Sequence, residues 1–174
     1  MLRIAIPATA AAALAITAAL AAPPKSPPPA PANVEQARRA VSLLADFYRE
    51  NLLVTHQTYV EGTRPPAALV TRDLFAVMKS KGWPEARWLS ANNQPLNRDN
   101  LPRDDFEKSA ARRIRAGEKL VEQVQGNRYR AVAAVPFTGT CLKCHWGDKP
   151  SDYVGGISFL VTLRAGGERA GTRE

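Results

Sequence analysis

The chain has 174 residues, a formal net charge of +8 and 45% apolar residues, enough for one domain with a proper core but not for two. Only two cysteines and two histidines are present, so a structural zinc site would have to recruit carboxylates. The basic balance does not point to nucleic acid, because the chain opens on what reads as an export signal.

Arg3 supplies a positive start, Ile4 to Leu20 is an alanine-rich apolar run, and Ala19-Leu20-Ala21 has the small-x-small form of a cleavage site. Residues 1–21 are therefore predicted to be a secretory signal peptide, with the mature chain starting near Ala22 in the periplasm. The competing reading is an uncleaved anchor, since the run is nearly long enough to cross a bilayer. Residues 22–32 hold Pro23-Pro24-Lys25-Ser26-Pro27-Pro28-Pro29-Ala30-Pro31, a polyproline II spacer of roughly 30 Å at about 3 Å per residue. It is a disordered tail after cleavage, and a stalk on a membrane only if the signal is retained.

The folded domain is expected over residues 33–164. Asn33 with Gln36 makes a capping box, and Val34, Ala37, Val41, Leu44, Tyr48 and Leu52 recur at helical spacing. A long amphipathic helix thus runs to about Tyr59, with His56 on its apolar stripe. Gly62-Thr63-Arg64-Pro65-Pro66 breaks the chain, and a second helix is predicted from Ala67 to Lys81, with Leu69, Leu74, Val77 and Met78 inward and Gly82 as its stop. Arg87 to Ser90 is a short strand candidate. Residues 91–100 are too rich in amides and turn formers to be regular. Asp104 with Glu107 opens a third helix through about Ala116, ended by Gly117. Lys119–Val124 and Arg128–Val135 flank Gly126-Asn127 as a hairpin, and Ile157–Arg164 alternates as a last strand. Helices followed by antiparallel strands predict an α+β domain with a small sheet, and residues 165–174 read as a disordered tail.

Between the last two strands stands Cys141-Leu142-Lys143-Cys144-His145, the c-type haem attachment pattern. Thiols three residues apart present both sulfurs on one side of a backbone turn. Each can add across a haem vinyl group to give a thioether, and the adjacent imidazole becomes the proximal iron ligand. Cys141, Cys144 and His145 are accordingly the predicted cofactor-binding residues for one covalent haem c, lying against the sheet with the helices closing over it. A dithiol, disulfide or zinc site is the competing use of such cysteines, although no βαβ pattern surrounds them. Export agrees with haem attachment, since the cytosol would keep a bare dithiol reduced.

Three stretches also resemble the periplasmic c-type haem domains with a PAS-like fold that often serve as sensor modules: Asn97, Asn100 and Pro102 followed by Asp105-Phe106-Glu107; Tyr129 and Pro136 with the haem motif; and Gly155-Gly156-Ile157-Ser158. The likeness covers about residues 34–164. Leu96 and Arg98 depart from the family's asparagine segment, and Trp146 stands where glycine usually follows the histidine. The resemblance implies a single-haem PAS-like domain acting in electron transfer or in redox or small-ligand sensing.

His56 and Met78 are the two strong donors available for the sixth iron position, and each is more often a core residue than a ligand. Trp146, Tyr153, Phe137 and Phe159 are candidate haem walls, and Asn92, Asn93 and Asn97 are candidate donors to a distal ligand. Arg112, Arg113, Arg115, Arg128 and Arg130 can form a basic face toward haem propionates or an acidic redox partner. The favoured reading is an electron carrier, or a sensor of a small ligand such as NO, CO or O2, rather than an enzyme. The alternative is a peroxidase-like or nitric-oxide-handling haem enzyme, which needs an open iron position and a distal acid-base group.

Overall fold

The computed structural model describes residues 29–58, 65–91, 95, 97–136, 141 and 154–163. The expected signal peptide, Tyr59, Asn92, Asn93, Phe137, Cys144, His145, Trp146, Tyr153 and the expected C-terminal tail lie outside the described residues. The elements are α1 (Pro31–Gln57), α2 (Ala67–Ser80), β1 (Glu85–Ser90), a 3₁₀ turn (Arg98–Asn100), α3 (Asp105–Arg115), β2 (Leu120–Gln125), β3 (Arg128–Pro136) and β4 (Val154–Thr162). This is the α+β architecture expected: helices packed on an antiparallel four-stranded sheet, consistent with a PAS-like fold.

The strand order is β1-β4-β3-β2, with every neighbouring pair antiparallel. β2 and β3 are joined by Gly126-Asn127, and Gln125 pairs with Arg128 across the turn. Gly126 has φ +58°, a left-handed conformation that glycine adopts without cost, as a two-residue hairpin requires. β4 then returns between β3 and β1, so the first and last strands lie side by side.

Side chains alternate across this sheet as the strand period demands. Tyr129, Ala131 and Ala133 of β3, with Ile157 and Phe159 of β4, join Ala37, Val41, Ala45 and Tyr48 of α1 and Phe75 of α2 in one buried cluster. On the opposite face Val132 of β3, Leu89 of β1 and Val121 of β2 meet Ala110, Ala111 and Ile114 of α3. The sheet is thus covered by α1 and α2 on one side and α3 on the other. Gly156 explains part of the close approach of α3, because a Cβ there would fall 2.8 Å from Val132 Cγ1 and 3.5 Å from Ile114 Cδ1.

Several boundaries differ from the expected ones for local reasons. α1 starts at Pro31, with Ala30 at its N-cap and no side-chain cap bond, rather than at an Asn33 cap. Proline at the first helical position has φ already set for a helix and gives up an N–H that would have no partner there. β4 starts at Val154, so Gly155 and Gly156 lie inside the strand; both are paired on two sides, to β1 and to β3. β1 begins at Glu85 because its backbone follows β4 from the Glu85–Leu160 pair onward. Within the polar stretch Asn97 accepts a hydrogen bond from the Asp99 backbone N–H at 3.0 Å and so turns Arg98–Asn100 into a single 3₁₀ turn.

α3 is capped as its sequence predicts. Asp104 accepts from the Glu107 N–H at 2.9 Å and pairs with Arg130 at 2.7 Å. Burial raises the pKa of the Asp104 carboxyl, but the N–H groups of the first turn and the Arg130 guanidinium outweigh it and hold the pKa below the ordinary value.

The core contains one expensive feature. Tyr48 is fully buried, stacks on Phe159 at 6.3 Å and meets Phe75 edge-on at 4.7 Å, yet among the described residues its hydroxyl has no hydrogen-bond partner. Burial also pushes its pKa above that of an ordinary tyrosine. A buried hydroxyl left unpaired costs about 1–3 kcal/mol, so Tyr48→Phe is expected to raise the unfolding free energy by about 1 kcal/mol. Urea unfolding with an unchanged m-value measures it.

Candidate functional site

A cavity of about 210 Å³ opens at the end of the sheet on the α1 and α2 face. Leu52, Leu53 and His56 from the last turns of α1 line it, as do Pro66, Ala67 and Ala68 at the start of α2. The sheet contributes Trp88, Leu89 and Ser90 from β1, Val135 and Pro136 from β3, and Gly155 and Gly156 from β4. Pro95, Asn100 and Cys141 complete the described lining.

The fold fixes these walls. Trp88 Nε1 donates to the Ala68 carbonyl at 2.9 Å, tying β1 to the first turn of α2. Its ring meets Phe75 at 5.2 Å. Arg49 Nε donates to the Ala134 carbonyl at 3.0 Å and holds the C-terminal half of α1 against β3. Adjacent strands β3 and β4 end side by side here, with Pro136 paired to Val154, so the connection from residue 137 to residue 153 begins and ends at the cavity's own rim. Cys141 belongs to that connection.

Polar groups are few, and one has no described partner. His56 Nε2 is buried with no hydrogen-bond partner among the described residues. The lining is otherwise mostly aliphatic side chains, proline, an indole and bare glycine backbone. A flat, largely apolar macrocycle with a metal at its centre suits such a cavity: apolar walls, and a lining histidine whose buried Nε2 has no partner among the described residues. The residues present fit a haem.

Asn100 is held in the wall by a second network. Glu107, only 3% exposed, accepts from Arg87 Nη1 at 2.8 Å, Ser158 Oγ at 2.7 Å and the Arg103 N–H at 2.8 Å. Arg87 in turn donates to the Leu101 carbonyl at 3.0 Å and to the Asp99 carbonyl. One buried carboxylate on α3 thereby positions the backbone on both sides of Asn100.

Of the expected site residues, the structure brings Cys141 and His56 to one cavity. Cys144 and His145 lie outside the described residues. Met78 is not in the lining; it packs against the cluster around Tyr48 and Phe75. Phe159 faces the same cluster, and Asn97 is occupied in capping the 3₁₀ turn. None of Arg112, Arg113, Arg115, Arg128 and Arg130 lines the cavity. Arg113 pairs with Glu118 at 2.6 Å, and Arg130 pairs with Asp104 and lies over the Phe106 ring at 4.5 Å. Tyr129 is fully buried and donates to Glu122, which also pairs with Arg38 at 2.8 Å. Burial and the neighbouring carboxylate raise the pKa of its hydroxyl far above the ordinary tyrosine value. Leu52, Leu53, Trp88, Pro95 and Asn100 were not singled out as lining by the sequence; the i, i+4 spacing of Leu52 and His56 was the one local signal available.

Among the described residues no helix is long and apolar enough to cross a membrane, and no group of three or more His, Cys, Asp or Glu side chains gathers as a metal site. A family model described as Tll0287-like matches residues 29–155, from just before α1 to within β4. No curated protein and no solved structure matches the chain.

Proposed function

Because the chain belongs to the Tll0287-like family, we propose that it is an exported, single-haem c-type cytochrome domain that transfers electrons. The observation that carries this reading is that Cys141 and the buried imidazole of His56 line the same apolar cavity. The matched span and the stretch resembling periplasmic haem domains nearly coincide, which supports it further.

Cys141 and Cys144 would hold the group through two thioethers, each the sum of one S–H and one vinyl double bond, so that no oxidant would be needed. His145, directly after the second thiol in sequence, would supply a nitrogen to the iron. When bound, the haem contributes a reversible one-electron couple. The chain's own residues do the rest. Leu52, Leu53, Trp88 and Val135 would keep water from the cavity, and Gly155 leaves room against the sheet. The basic balance, which stays positive once Arg3 is removed and two haem propionates are added, favours an acidic redox partner, which long-range attraction would draw in at low ionic strength. Residues 1–21 direct export and are removed, leaving a periplasmic domain on a proline-rich tail.

Expression beside a c-type maturation system tests this. The periplasmic fraction is expected to contain a red protein that begins near Ala22 and whose spectrum changes reversibly between oxidised and reduced states. Recovery only in detergent with Met1 intact would make the alanine-rich run an anchor. A colourless periplasmic protein would overturn the haem reading.

A further inference from the structure

We propose that the outer side of α1 is a self-pairing surface, on which two copies of this chain join as an antiparallel, two-fold dimer. This is independent of the haem reading, because it uses only residues on the solvent side of one helix.

α1 carries two apolar stripes. One is its buried side, Ala37, Val41, Ala45 and Tyr48. The other is formed by Leu43, Phe47 and Val54, which are 71%, 50% and 59% exposed. At 3.6 residues per turn, steps of four and seven residues keep these three on one line along the helix, on the side away from Val41 and Tyr48. Single exposed apolar residues are ordinary on a protein surface, but a line of large ones along a regular element marks a contact.

Charge selects the occupant. Arg39, whose side chain is 80% exposed, flanks the N-terminal end of the line, and Asp46, at 72%, and the exposed Glu50 flank its C-terminal half. The stripe is therefore positive at one end and negative at the other, and it complements itself when a second copy runs the opposite way. With the two-fold axis at the height of Ala45, Leu43 of each copy stands level with Phe47 of the other, and Arg39 stands level with Asn51, one residue from Glu50. In a parallel pair each charge would meet its own kind. The 3.0 Å bond from Arg39 to Glu35 lies on the exposed surface, where such a pair is worth little and can be exchanged. Three apolar side chains from each copy fall short of the roughly 800 Å² per partner of a standard stable interface, so the dimer is reversible and concentration-dependent. Leu52, Leu53 and His56 of the last turns of α1 line the cavity, so antiparallel pairing sends the two cavities to opposite ends.

Sedimentation of the purified protein over a range of concentrations tests the pairing, at about 0.15 M salt, where repulsion between two basic chains is screened beyond about 8 Å. The mass is expected to rise from that of one chain to that of two. Leu43→Lys is expected to stay at one chain throughout, with circular dichroism checking its fold; should it unfold, Val54→Lys on the same line gives the same reading. Arg39→Glu is expected to weaken the dimer about tenfold, since the two-fold axis breaks the pair twice, and Arg39→Glu combined with Glu50→Arg is expected to restore it. A chain that is monomeric at every concentration overturns the proposal, whether or not a different protein binds the stripe. A dimer left intact by both lysine variants places the interface elsewhere and overturns it too, and one indifferent to Arg39→Glu overturns the antiparallel arrangement.

Discussion

Replacing Cys141 and Cys144 together by serine is expected to remove covalent haem from the protein altogether. A serine hydroxyl does not add across a haem vinyl group under the conditions in which a thiol does, so no thioether can form at either position. The fold should survive, because the buried clusters described on both faces of the sheet are built from α1, α2, α3 and the four strands. The double variant should therefore unfold cooperatively while lacking the mass of the haem. The single variants should each retain one thioether and a weakened attachment. Full haem retention by the double variant after unfolding would show that the cysteines are not the anchors.

The largest effect on stability is expected at Glu107. Its carboxylate is buried and accepts from Arg87, Ser158 and the Arg103 N–H. Removing one member of a buried ion pair leaves the other charge uncompensated and costs about 3–5 kcal/mol, a large part of the stability of a domain this size. Glu107→Ala is thus expected to lose about 3 kcal/mol in urea unfolding, with Glu107→Gln losing less because it keeps the shape and one acceptor. The cavity should register the loss as well, since Arg87 also holds the carbonyls of Asp99 and Leu101 on either side of Asn100. A shifted reduction potential in Glu107→Gln, with haem still attached, would report that coupling. A variant as stable as the parent protein would mean that the network contributes no net stability.

The parts of the fold that were readable in sequence are those fixed by local chemistry. The Asp104 cap, the Gly117 stop with φ +102° and the Gly126 turn all stand where the residue types put them, because each solves a backbone problem within a few residues. The amphipathic stripe of α1 was readable for the same reason, and Ala37, Val41, Ala45 and Tyr48 are its buried side. Strand order was not readable, because nothing in Glu85–Ser90 reveals that its partner lies some seventy residues on. The cavity walls were hidden likewise: Trp88 and Asn100 reach the site only through the β1–β4 pairing and the Arg87–Glu107 tie. His56 could be read as a candidate from its stripe but not separated from Met78, since a helical period places both inward and only tertiary packing decides which faces a cavity.

Covalent attachment of haem at Cys141-Leu142-Lys143-Cys144-His145 can be read from the unfolded chain. The purified protein is unfolded in guanidinium chloride, passed through a desalting column, and its polypeptide fraction examined for haem absorbance and mass. The pigment is expected to travel with the unfolded chain, and the mass to equal the mature polypeptide plus one haem. A colourless polypeptide at the bare mass, with the pigment left behind or never present, would contradict it.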